Sequence, residues 1–167
     1  MKDARYWINE LGLERHPEGG YYKETYRCSE LIPPAGLPQR FQGPRCFSTA
    51  IYFLLSGQEV SHLHRIKSDE VWHFYAGSTL LIHVIEPEGK YWNIRLGQDI
   101  AAGETLQGMV PAGCWFGAKV KDPGSYCLAG CTVAPGFEFE EFELADRDKM
   151  IEGYPHLREI IDVLTEA

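Results

Sequence analysis

The chain has 167 residues, 44% of them hydrophobic and 24% charged, a length that suits one domain over residues 1–167 with a core burying roughly two thirds of the unfolded surface. A formal net charge of −8 argues against nucleic acid and anionic membrane as partners; Met1-Lys-Asp-Ala-Arg-Tyr-Trp7 lacks the apolar core expected of a signal peptide, and no later segment reaches the apolar length expected of a bilayer span. Five cysteines, an odd number without a CxxC pair, argue against a disulfide framework or a cysteine zinc site and point to a reduced, cytoplasmic protein.

In chain order, Asp3 to Leu11 carries Tyr6, Trp7, Ile8 and Leu11 at helical spacing, with Asp3 as a cap and Gly12 as a stop. After Gly20 the period changes to two, and Tyr21 to Arg27 reads as a strand with Tyr22, Glu24 and Tyr26 on one face. Residues 31–45 hold Pro33, Pro34, Pro38 and Pro44 among glycines and read as a long surface loop. Phe47 to Leu55, Thr79 to Ile85, Tyr91 to Leu96, Thr105 to Val110 and Ser125 to Val133 read as further strands, with turns at Glu86-Pro-Glu-Gly89 and Asp122-Pro-Gly124. A last strand is expected near Phe139 to Leu144, followed by helical segments opened by Asp146 and Pro155. Short strands at this spacing imply an antiparallel sandwich or jelly roll with helices at the two ends of the chain.

The segment from Gly57 to Gly77 carries the chemistry. His62 and His64 are alternate residues of an extended stretch, so they are expected on one face, about 7 Å apart. Glu70 opens a second strand, Glu70 to Tyr75, predicted to return beside the first after a polar turn from Arg65 to Asp69. Two imidazoles and a carboxylate could hold a divalent iron, manganese, nickel or zinc ion with positions left open for substrate. The alternative is a polar network lining a cavity without metal.

At these residues the chain resembles the cupin superfamily, whose first motif is a Gly, a His-x-His pair, a Glu and a Gly seven residues after the Glu, as in Glu70 to Gly77. Gly57 lies one residue too close to His62, and Glu70 at least one too far from His64. Pro111-Ala-Gly113-Cys-Trp115-Phe116 corresponds to the second motif, with Phe116 where a fourth metal-ligating His stands. The resemblance implies a double-stranded β-helix, a jelly-roll barrel, commonly homodimeric, with Tyr21 to Arg27 as a candidate dimer strand. It is strongest to a small subgroup known as a domain of unknown function, through the Trp-His-Phe-Tyr run, the Gly-Gly-Tyr-Tyr start and the Pro-x-Gly-x-Trp turn. The stretch from His16 to Arg27 also resembles the deoxysugar-nucleotide epimerases, in which a comparable strand contributes to substrate binding and a strand His acts as a base without metal.

The site expected is therefore His62, His64 and Glu70 as catalytic groups or metal ligands. Tyr22, Glu24, Trp72, Phe74, Trp115 and Phe116 are expected to border a cavity for a small polar metabolite, sugar-like or a keto-acid. Epimerase- or isomerase-type acid–base chemistry and metal-assisted chemistry both fit, and a non-catalytic binding or sensing cupin is the alternative. His73 falls on the opposite strand face and reads as structural, His83 as a locally satisfied strand residue, and His16 and His156 as surface residues.

Overall fold

The computed structural model describes residues 2–166 and begins with the expected helix, α1 (Ala4–Leu11). Asp3 caps it by accepting from the Tyr6 N–H at 2.8 Å, and Gly12 ends it in the left-handed conformation that a side chain disfavours. The helix lays Trp7 and Ile8 on Leu54 and Leu128.

Two antiparallel sheets form the body. The first runs in the order β1 (Glu14–Arg15), β2 (Tyr21–Arg27), β5 (Thr49–Ser56), β12 (Tyr126–Ala134), β7 (Asp69–Gly77) and β10 (Gln107–Val110). The second runs β13 (Glu143–Leu144), β6 (Val60–Arg65), β11 (Trp115–Val120), β8 (Leu80–Ile85) and β9 (Tyr91–Leu96). Period-two alternation puts Leu80, Ile82 and Val84 of β8 into the space between the sheets, where they meet Phe53, Trp72, Phe116 and Ala129. The outer face of the second sheet offers Leu63, Ile85 and Trp115, and α2 (Arg147–Gly153) and α3 (Arg158–Leu164) cover them with Met150, Ile161 and Leu164. An all-β jelly roll with short flanking helices is thus the architecture. Among the described residues no helix is long and apolar enough to cross a membrane.

Four local expectations change. Strands β6 and β7 do not pair: β6 lies between β11 and β13, β7 between β12 and β10, and residues 66–68 carry the chain from one sheet to the other. Periodicity sees strands and turns, but not which sheet a corner leads to. The apolar run of β11, interrupted by Gly117, is a strand that the sequence reading passed over. The proline-rich segment contains a short ladder, β3 (Leu31–Ile32) on β4 (Arg45–Cys46).

The expected strand at Phe139 to Leu144 is instead a 3₁₀ turn, Phe139–Glu141, followed by the two-residue β13. Residues 135–145 form a strap from the end of β12 in one sheet to β13 in the other. Its phenylalanines, Phe137, Phe139 and Phe142, face the space between the sheets. Three of its four glutamates pair with arginines: Glu138 with Arg27, Glu141 with Arg45 in a buried pair, and Glu143 with Arg65.

Candidate functional site

The strap and the first sheet enclose a cavity of about 280 Å³. Phe53, Tyr22, Phe137, Phe139 and Phe142 give it an aromatic wall, and Ile51, Ile66 and Val133 complete the apolar surface. The polar floor is Glu18, His64, Glu70, His16 and Cys131. Of the lining residues, Glu24 and Phe139 are exposed, so the mouth opens between them. None of the lining residues is Lys or Arg.

His64 is fixed by two acceptors. Its Nδ1 lies 2.7 Å from the His62 carbonyl oxygen, and its Nε2 lies 2.9 Å from Glu18 Oε2. Oxygen acceptors at both nitrogens require N–H groups on both, which is the imidazolium form. Burial opposes that charge, yet the Glu18 carboxylate and its hydrogen bond outweigh burial and hold His64 above its ordinary pKa. Glu18 is itself buried, which pushes its pKa up, but His64, His16 and the Ser61 hydroxyl at 2.9 Å together bring it below the usual carboxylate value. The side chains of His64 and Glu18 are only 3% and 6% exposed, so this is an ion pair withdrawn from water.

Glu70 faces this pair with no counter-cation of its own. Burial and the negative charge of Glu18 raise its carboxyl to about 7, against the pull of His64 and a hydrogen bond donated by the Cys131 thiol. His16 accepts a hydrogen bond from the Glu18 backbone N–H at Nδ1, 3.1 Å away, which leaves the ring neutral. Burial keeps its pKa low, although Glu18 pulls it up. One floor therefore carries an anion, a cation, a neutral imidazole and a carboxyl poised near neutrality.

The structure brings together only some of the residues singled out from sequence. His64, Glu70, Tyr22 and Glu24 line the cavity, whereas His62 does not. Phe116 pairs with His64 and Ala118 with Ser61, so three steps along β6 match two along β11, and His62 and Leu63 share Gly117 as their opposite residue. This β-bulge breaks the alternation that would have put His62 beside His64. Leu63 turns to the helices, and His62 Nδ1 lies 3.8 Å from the Glu166 carboxylate near the end of the chain.

Four aromatic assignments are also corrected. Trp72 and Phe116 are 1% exposed core residues, Phe74 packs against the same core, and Trp115 lies on the far side of the second sheet under the Arg65 guanidinium. The cavity wall is built instead from Phe53 and the strap. His16, expected at the surface, packs on Tyr22 with ring centroids 4.6 Å apart, and its side chain is 6% exposed.

Glu18 was missed by the sequence reading. Its signal is the adjacent Gly19-Gly20, both at positive φ, where an added Cβ would meet the Val60 carbonyl at 2.2 Å and the Leu54 carbonyl at 2.7 Å. Only glycines let this loop press into the barrel wall, where the Glu18 carbonyl accepts from the His62 N–H at 2.7 Å. Phe137-Glu-Phe139 and Phe142-Glu-Leu144 each alternate as a strand would, which concealed the common role of the three phenylalanines.

The donor set does not fit the metal expected at His62, His64 and Glu70. His62 points elsewhere, Phe116 has no ligating atom, and both nitrogens of His64 are bound to oxygen acceptors. Among the described residues no three His, Cys, Asp or Glu side chains converge to hold an ion.

Residues 5–145 match the family described as cupin superfamily (DUF985). The chain belongs to this cupin family. Protein SO0799 from Shewanella oneidensis has a crystal structure with 40% identity and a TM-score of 0.90 over 99% of both chains. A hypothetical protein from Leishmania major has 33% identity and a TM-score of 0.89, again over 99% of each. An uncharacterized protein of Saccharomyces cerevisiae, YML079W, is 28% identical over 152 residues, which is 80% of this cupin and 71% of the yeast protein. Oxalate decarboxylase from Bacillus subtilis aligns with a TM-score of 0.55 at 14% identity, over 91% of this chain and 37% of its own, a likeness of fold.

Proposed function

We propose that this cupin is a metal-independent acid–base enzyme that moves a proton on a small metabolite, as an isomerase or epimerase does. The observation that carries the reading is the Glu70 carboxyl, raised to about 7 on the floor of an aromatic-walled cavity beside the Glu18–His64 ion pair. Carboxyl groups driven to different proton affinities by their surroundings are how a site keeps one group ionised and another ready to exchange a proton. Glu18 stays an anion and fixes His64 as a cation, while Glu70 is close to half ionised near neutral pH.

In the proposed step the Glu70 carboxylate takes a proton from a carbon beside a carbonyl. The C–H electron pair becomes the enolate double bond, and the carbonyl oxygen gains the charge. The His64 imidazolium supplies a positive field for that charge. Protonated Glu70 then returns the proton to the former carbonyl carbon, and the hydroxyl proton of the adjacent hydroxyl-bearing carbon passes to the former carbonyl oxygen, giving the isomer with no net change in atoms or electrons. The role of base, assigned from sequence to a histidine, passes to Glu70 because His64 has no free lone pair. A second reading, binding without turnover, is favoured by the complete hydrogen bonding of Glu18 and His64, a pattern typical of static networks.

The test is proton exchange. The protein is incubated in D₂O with a panel of small hydroxyaldehydes, hydroxyketones and monosaccharides, and NMR follows deuterium entering beside the carbonyl. Wash-in that disappears in Glu70→Gln and persists in His62→Ala supports the reading. Ligand binding without wash-in, or wash-in indifferent to Glu70→Gln, overturns it.

A further inference from the structure

We infer that the cavity takes a small molecule that has an apolar flank and carries no negative charge, so that carboxylates and phosphate esters are excluded from the site. The inference rests on the acid–base reading for the role of Glu70 and adds the charge of the ligand. Three carboxylates, Glu18, Glu24 and Glu70, line the cavity, and the one cation among the lining residues, His64, is consumed by Glu18.

The arginines around the cavity cannot compensate. Arg27 gives Nε and Nη2 to Glu24 at 3.0 and 2.9 Å, Nη1 to Glu138 at 2.8 Å, and Nη2 also to the Phe137 carbonyl at 3.0 Å. Arg45 is committed to Glu141 and to the Pro44 carbonyl, and Arg65 to Glu143. A bound anion would face Glu70 across a water-poor cavity with no free donor of positive charge, an arrangement like charges disfavour. The strap phenylalanines, packed edge to face with centroids 4.9 to 6.4 Å apart, present hydrocarbon to one side of any ligand. Glu70 offers the other side a hydrogen-bond acceptor that becomes a donor when protonated. A volume of about 280 Å³ lies at the small end of ligand cavities, which run from about 300 to 1,000 Å³, and so suits a small metabolite.

The experiment uses probes that differ in charge but little in size: benzyl alcohol, benzylammonium and benzoate. Each is titrated into the full-length protein at about pH 8, where Glu70 is mostly ionised, and binding is read from amide NMR shifts of Ile51, Val133 and Phe142. Benzyl alcohol should shift these residues, with benzoate weaker by roughly tenfold or more, and the gap should narrow in Glu70→Gln as the repelling charge is removed. Benzylammonium binding at least as tightly as the alcohol also supports the inference. Benzoate binding as well as the alcohol to the wild-type protein overturns it, as does failure of both non-anionic probes to shift the cavity residues. The probes undergo no reaction, so loss of deuterium wash-in with charge discrimination intact would defeat the acid–base reading alone.

Discussion

Keeping Glu70 in the cavity has a pH-dependent cost. Below the ordinary carboxylate value of 4.5 the group is protonated in both folded and unfolded chains, and burial costs little. As pH rises from there to about 7, the unfolded chain releases the proton while the folded one resists, so stability falls through that window and the loss is complete above it. Two and a half pH units of delayed ionisation correspond to on the order of 3 kcal/mol. Glu70→Gln is therefore expected to match the wild-type protein in urea unfolding at about pH 4 and to exceed it at about pH 8 by part of that amount. Equal stability at both pH values would mean that Glu70 is not the group held near neutrality. His64 contributes in its own sense: its stabilisation is complete below the ordinary value of 6.5 and fades as pH rises through its elevated folded value. The sequence made His64 and Glu70 legible because histidine and glutamate are conspicuous beside a run of aromatics. Glu18 was not, since an isolated Glu in a Pro-Glu-Gly-Gly turn looks like any surface turn.

Elements were legible wherever local chemistry fixes them. The cap at Asp3, the stop at Gly12, the bounds of β2 at Tyr21–Arg27 and the Asp146 cap on Lys149 each depend on a few neighbouring residues, although a register shift between Glu24 and Tyr26 interrupts the two-residue period of β2. What escaped was non-local: the sheet to which β6 and β7 belong, and the bulge that turns His62 away. That bulge depends on a residue more than fifty positions downstream. An added Cβ at Gly117 would lie 2.7 Å from the Ser61 carbonyl oxygen and 3.2 Å from the Leu63 nitrogen, both backbone atoms that cannot swing aside. Gly117→Ala should thus force β6 and β11 apart and cost about 2 kcal/mol or more, lowering Tm by about 5 °C or more. It should also disturb His64, whose partner Phe116 precedes the glycine. An unchanged melting temperature would remove the claim that the glycine admits the bulge.

At the scale of the whole molecule, the strap makes the cavity a property of both sheets at once. It starts in the first sheet, ends in the second, and is anchored midway by the buried Arg45–Glu141 pair, whose side chains are 4% and 8% exposed. Removing one partner strands a charge in a poorly solvated position, and Arg45→Met alone should cost about 3–5 kcal/mol, whereas Arg45→Met with Glu141→Leu should recover most of it. If the double variant were as unstable as the single, measured by urea unfolding, the pair would be more than mutual compensation. The two lips of the mouth meet the same guanidinium: Arg27 holds Glu24 on β2 and, on the strap, Glu138 beside Phe139. Both contacts are partly exposed to solvent and so are weakened by dissolved ions. The rates at which an uncharged molecule enters and leaves should then rise with ionic strength, although nothing in that molecule responds to salt, because the salt acts on the clasp across the entrance.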